Sequence, residues 1–316
     1  MPPAASATGP FTVYGLQVSY FTRKVTGYLD LQGIGWRLDP GLGLNEAAQA
    51  AGWNGGLPVV TTDEGELLWD STAVILHLDT RFANPTILPE DPSLAFLIHV
   101  LEDFSDEWFY RPAVGTRWLW SENTVSGSWD IARDGAMELG LDAETTRDIV
   151  TEAMTASLHK LGTSADNIDS WVEHSVKPWQ HAMAVHLAGH AYLAGDRPSL
   201  ADLAFFGGNV AHFVNDPACR RFTDAHAPAV VEHTHRLRAP WNQAFGDWLD
   251  VGYHPEIGAP APLVARVGVR GTGVLDCSLR PDYASSYEEG VTEAHARIAR
   301  DIVEARAVAE ALTRDD

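Results

Sequence analysis

The run Gly55-Gly56-Leu57-Pro58-Val59-Val60 limits the fold of this chain more than any other stretch. Proline cannot donate to a sheet ladder, so Pro58 must open a strand, and a cis bond before it turns the next residue's backbone outward as a donor and an acceptor. Val59 is therefore expected to offer its N–H and C=O to a ligand. One short turn later Leu67-Leu68-Trp69 runs into Asp70-Ser71-Thr72, where a strand ends and a helix starts. The N–H groups of a helix start, with the Ser71 hydroxyl, suit a carboxylate, and Asp70 suits an ammonium. The zwitterionic end of an amino acid or small peptide meets both conditions.

The segments around these motifs read in βαβαββα order. Phe11 to Gly15 is strand-like, Ser19 opens a helix running to about Gln32, and Gly35-Trp36-Arg37-Leu38 forms a second strand. Asp63-Glu64-Gly65 is a hairpin signal between two further strands, and Thr72 to Phe82 is helical. A flexible lead-in over 1–10 thus precedes an α/β domain over 11–82, and a proline-punctuated linker covers 83–93. Residues 94–251 carry helical spacing, interrupted near Pro112, Gly162 and Gly195 to Pro198, and predict a bundle of five to seven helices. An extension over 252–316 ends in a helix from about Tyr287 to Leu312. Ser199-Leu200-Ala201-Asp202 reads as a capping box, a structural device rather than a reactive one.

Charge and cysteine usage exclude several function classes. A formal net charge of −21 with no basic stripe opposes phosphate backbones and anionic membranes, so neither nucleic acid nor membrane is expected as a partner. The two cysteines, Cys219 and Cys277, have neither metal nor redox spacing and suit a reducing cytoplasm. His99, Asp103 and Asp106 share a helix face, as do His186 and His190, but neither set completes a ligand shell, and no metal is expected.

Pro58, Asp70-Ser71 and the segment Tyr192-Leu193-Ala194-Gly195-Asp196 through Asp202 together resemble the glutathione transferase superfamily. The resemblance implies a thioredoxin-like N-terminal domain followed by an all-helical one, with glutathione as cosubstrate held by Pro58, Val59, Asp70 and Ser71. It also implies a homodimer. The position matching the family's activating residue, just before the first helix, is Ser19 in Ser19-Tyr20-Phe21-Thr22-Arg23-Lys24. Its hydroxyl, aided by the helix N-terminus, can favour a bound thiolate. Lowering a thiol pKa by about two units needs ~3 kcal/mol of differential stabilisation. The plain alternative is that Ser19 is only an N-cap. Tyr14 and Tyr20 are rival hydroxyls. The glycine carboxylate of glutathione is usually met by a cation or Gln, yet residues 38–58 contain no Lys, Arg or His, leaving Gln49, Trp53 and Asn54, or Arg23 or Arg37 from elsewhere. A small-molecule electrophile is expected between the domains. Tyr20, Trp108, Tyr110 and Arg111 are the first choices for its walls, within a set that includes Phe104, Arg117, Trp118 and Trp120. Three readings stay open: a transferase; a glutathione-dependent isomerase, lyase or dehalogenase of a specialised pathway; and a binding protein of the same fold without turnover.

Overall fold

Phe11, Thr12 and Val13 are buried in succession, as a central strand covered on both faces requires. They belong to β1 (Phe11–Tyr14), which lies in a four-stranded sheet ordered β2-β1-β3-β4, where β2 is Trp36–Asp39, β3 Val59–Thr61 and β4 Leu67–Trp69. β2 runs parallel to β1, and the other pairings are antiparallel. Between the strands come α1 (Tyr20–Leu31) and α2 (Asn45–Ala50), and α3 (Ser71–Phe82) follows the hairpin. This is the βαβαββα order of a thioredoxin-like domain. The computed structural model describes residues 10–40, 45–53, 55–238 and 245–249; Asn54, Cys277 and the helix expected over 287–312 lie outside the described residues.

Register brings three separated motifs together. Tyr14 pairs with Val59, and Val59 with Trp69, so the end of β1, the start of β3 and the end of β4 lie side by side. The loop carrying Ser19, the Leu57–Pro58 bond and the Asp70–Ser71 pair therefore emerge at one end of the sheet.

The second domain is helical. α4 (Pro92–Asp103) passes through a π-helical turn, Phe104–Phe109, into α5 (Tyr110–Leu119). The sequence predicts an interruption near Pro112, but the chain stays helical through it. Pro112 cannot donate to the carbonyl four residues back, and the wider turn just before it absorbs the change of register. Then follow α6 (Ser121–Leu139), α7 (Ala143–Ser157), α8 (Ile168–Trp171), α9 (Lys177–Leu187), α10 (Leu200–Gly208), α11 (Pro217–His226) and α12 (Pro228–Arg238).

Every residue of α10 is buried, and this helix forms the hub on which α1 docks. Its last two residues explain how closely. A Cβ at Gly207 would sit 2.6 Å from the Tyr20 carbonyl oxygen, and one at Gly208 2.5 Å from the Tyr20 ring. The helical domain thus touches the first turn of α1, next to Ser19. No helix among the described residues is long and apolar enough to cross a membrane, and none of their His, Cys, Asp and Glu side chains gather in threes that could hold a metal ion.

Candidate active site

Ser19 is the N-cap of α1. It has extended backbone angles, and its Oγ accepts from the Thr22 N–H over a long 3.4 Å. That contact leaves the hydroxyl proton available, and the side chain is only half-buried. No acidic residue occupies the first turn of α1, so no carboxylate of that turn offsets the positive helix end. Both conditions favour a bound anion beside this hydroxyl.

The strand start is arranged differently from the expectation. The Leu57–Pro58 bond is cis, but Val59 lies in register with Tyr14 on one side and Trp69 on the other. Its N–H and C=O thus belong to the ladder, and Val59 is buried. Leu57, before the proline, stands outside the strand, half-buried, and makes no hydrogen bond to another described residue. Its backbone, unlike that of Val59, is not taken up by the ladder and could serve a ligand. Trp53 also changes role: its indole N–H donates to the Gly56 carbonyl at 2.6 Å, bracing this loop from within instead of reaching for a carboxylate. Gln49 stays exposed on α2, Arg23 donates to the Gln17 side chain at 2.8 Å, and Arg37 stands exposed 3.9 Å from Asp39.

At the start of α3, Asp70 has φ 71° and is the only non-glycine described residue with positive φ. Such a backbone costs of order 1–3 kcal/mol and persists only where its surroundings enforce it. One Asp70 carboxylate oxygen, Oδ1, accepts from both the Thr72 and Ala73 N–H groups, at 3.1 and 3.2 Å. Its other oxygen makes no hydrogen bond to a described residue. Ser71, the first helical residue, leaves its hydroxyl without a hydrogen bond to another described residue. An amino-acid end fits here, its carboxylate against Ser71 and the helix start and its ammonium against Asp70.

Behind this helix start lies a buried polar cluster that the sequence reading missed. Lys24 Nζ lies 2.5 Å from both Glu102 and Asp106 and donates to the Thr72 hydroxyl at 2.9 Å. Thr72 in turn donates to Glu102. Burial alone would lower the Lys24 ammonium, but Asp106 and Glu102 outweigh it and hold it above its ordinary range. Glu102 lies below the usual carboxylate range, its burial overcome by Lys24, whereas burial raises Asp106 well above it. The cluster joins α1, α3 and α4, and so fixes the residue next to Ser71. Its hydrogen-bonded partners are 30 to 82 positions apart, so no local spacing pairs them.

The expected electrophile walls mostly prove structural. Tyr20 is buried, with its hydroxyl 2.9 Å from the Ser105 carbonyl and 2.6 Å from the Ser105 hydroxyl. Burial and Asp106 raise its pKa well above the ordinary value, and the hydroxyl, buried and committed to Ser105, is not placed to meet a ligand. Arg111 is 2% exposed and caps the Glu107 and Leu161 carbonyls. Trp108 donates to Ser175 at 3.0 Å and packs on Trp171. Phe104, Arg117 and Trp118 are core residues. Tyr110 remains half-buried, packed at 5.0 Å against Phe21, two residues past Ser19, and its hydroxyl makes no hydrogen bond to another described residue. Among the described residues, burial pushes the Cys219 thiol up to about 12, which rules it out as a nucleophile.

Comparison with known proteins agrees with this fold. Residues 13–86 match the family model described as glutathione S-transferase, N-terminal domain. No curated protein matches the chain. The solved structure of beta-etherase LigF from Sphingobium sp. strain SYK-6 is similar at a TM-score of 0.52 and 16% identity, over 73% of this chain and 96% of that one. Glutathione transferase GSTFuA3 from Phanerochaete chrysosporium is similar at a TM-score of 0.50 and 16% identity, over 76% of this chain and 99% of that one. Likeness at this level of identity concerns the fold.

Proposed function

We propose that this chain, which belongs to the glutathione S-transferase superfamily through its N-terminal domain, is a glutathione-dependent enzyme that activates the bound thiol for attack on an apolar electrophile. The observation carrying this reading is the shared sheet end, where Ser19, the Leu57–Pro58 edge and the Asp70–Ser71 helix start meet. The γ-glutamyl end of glutathione would lie on Ser71 and Asp70, and its central residue would run along Leu57. Its sulfur would then reach the start of α1. There the Ser19 hydroxyl donates to the thiolate while the helix end, with no acid in its own first turn, adds positive potential. Tyr110 and Phe21 line the side from which the electrophile enters. A homodimer and a cytoplasmic setting belong to the same reading.

The test is consumption of glutathione's thiol in the presence of a panel of apolar electrophiles. Turnover is expected, and Ser19→Ala should reduce kcat by roughly a hundredfold, the cost of removing one preorganised donor from a developing or bound anion. A protein that binds glutathione but turns over none of the panel would overturn the enzymatic reading in favour of a binding protein.

A further inference from the structure

The segment carrying Ser19 is not held by its own domain alone. Arg117, on α5 of the helical domain, donates through Nη1 to the carbonyl of Val18 at 2.6 Å. The rest of the guanidinium is committed as well. Nε lies 3.0 and 3.2 Å from the two Asp216 carboxylate oxygens, Nη2 lies 2.9 Å from one of them, and Nη2 also donates to the Ala211 carbonyl. One side chain therefore ties the loop between β1 and α1 to the π-helical turn Asn209–Phe213 that follows α10 and to the start of α11.

Three further observations show that this arrangement is built. Arg117 and Asp216 are both buried, with side-chain exposures of 3% and 0%. Asp216 occupies the N-cap of α11 yet makes no capping bond with its side chain; Asn123 Oδ1 accepts from the Ala218 N–H at 2.8 Å instead, and the Asp216 carboxylate is given to the distant guanidinium. Gly127 on α6 leaves the room that the Arg117 stem fills, since a Cβ there would lie 2.7 Å from Arg117 Cδ.

We propose that Arg117, braced by Asp216, is a positioning residue that orients Ser19 for thiol activation; this rests on the assignment of Ser19 in the proposed function. The physical link is the planarity of the peptide unit. The Val18 carbonyl oxygen, the Ser19 nitrogen and the Ser19 Cα share one rigid plane, so holding the oxygen on Arg117 and the nitrogen on the Leu16 carbonyl at 3.0 Å restricts where Ser19 Cα can stand. The Asp216 carboxylate pairs with the guanidinium and offsets its charge at a distance, so Arg117 acts on Ser19 chiefly through orientation. The helical domain thereby sets the geometry of a hydroxyl belonging to the other domain.

The test compares Arg117→Lys, which keeps the charge but loses the fork, and the near-isosteric Asp216→Asn with Ser19→Ala and the two double variants. Two signals are read in every folded variant: the apparent pKa of bound glutathione's thiol, from the pH dependence of its ultraviolet thiolate absorbance, and the Ser19 amide resonance in protein labelled at serine nitrogen. The expected result is a rise in thiol pKa that approaches that of Ser19→Ala, roughly a tenfold loss of thiolate at fixed pH, with no further rise in the double variants and a displaced Ser19 resonance. Effects that add in the double variants, or an unmoved Ser19 resonance in folded Asp216→Asn, would overturn the proposal. If the native protein leaves the thiol pKa at its solution value, the assignment of Ser19 fails, and the amide resonance still decides whether Arg117 positions this loop.

Discussion

Among the described residues, two serines cap α-helices with their side chains, and they differ in what is left of the hydroxyl. Ser199 at the start of α10 is wholly buried: its Oγ lies 2.6 Å from Asp202 Oδ2 and 3.4 Å from the Asp202 N–H, while Asp202 reaches back to the Ser199 N–H at 2.8 Å. His233 and the Leu193 N–H close on the same carboxylate at 2.7 and 2.9 Å. Ser19 at the start of α1 is half-exposed, makes one long contact and has no acid in its first turn. A cap with all its valences filled holds a core together; a cap with an idle donor at a helix end without an acid in its first turn can serve a ligand. The same residue type in the same local role thus divides into structure and chemistry by its second partner.

The comparison breaks most visibly at Asp202. Asp202→Ala strips the capping box and leaves the Leu193 N–H and the buried His233 without their acceptor, and the expected loss is about 3–5 kcal/mol of stability, read from denaturant unfolding. Retention of native stability would show that the α10 cap is dispensable. Acid supplies the next largest effect. His212 is buried beside Arg117, and burial followed by that guanidinium brings its pKa down to about 4 from an ordinary 6.5, although Asp216 pulls the other way. Below pH 6.5 the unfolded chain binds a proton that the folded protein refuses, so stability falls as pH drops from 6.5 toward 4, by on the order of 3 kcal/mol. His212→Asn should flatten that slope in thermal melts across this window; an unchanged slope would assign the acid sensitivity elsewhere. The smallest change in stability is expected at the other serine. Ser19→Ala should cost only about 0.5–1 kcal/mol, because one long capping bond is all that it removes, while thiol activation drops. A loss as large as that of Asp202→Ala would erase the distinction between the two caps.

Much of the fold was legible because its signals are local. Pro58 marked a strand start, Asp63-Glu64-Gly65 marked the hairpin, and Ser199-Leu200-Ala201-Asp202 marked the α10 cap, each within a few residues. The site was legible only in its outline. Ser19, Asp70 and Ser71 are found at the shared sheet end, but Val59, Trp53, Tyr20 and Arg111 have their polar groups taken by partners inside the fold. Residue type shows that a group can bind; it does not show who already occupies it. Lys24 escaped, and Arg117 was placed in the electrophile wall instead of in the core, for the complementary reason that their partners lie up to 82 and 99 residues away and share no spacing with them. The π-helical turn before Pro112 likewise depends on how the helix continues after the proline, which the residue alone does not specify.

The most direct test of the central claim is isothermal titration of the protein with glutathione beside its Ser71→Ala variant. The account predicts binding in the micromolar to low-millimolar range, weakened by about tenfold or more in the variant through loss of a charge-assisted hydrogen bond. No binding to the native protein, or equal binding to both, would contradict a glutathione site at the start of α3.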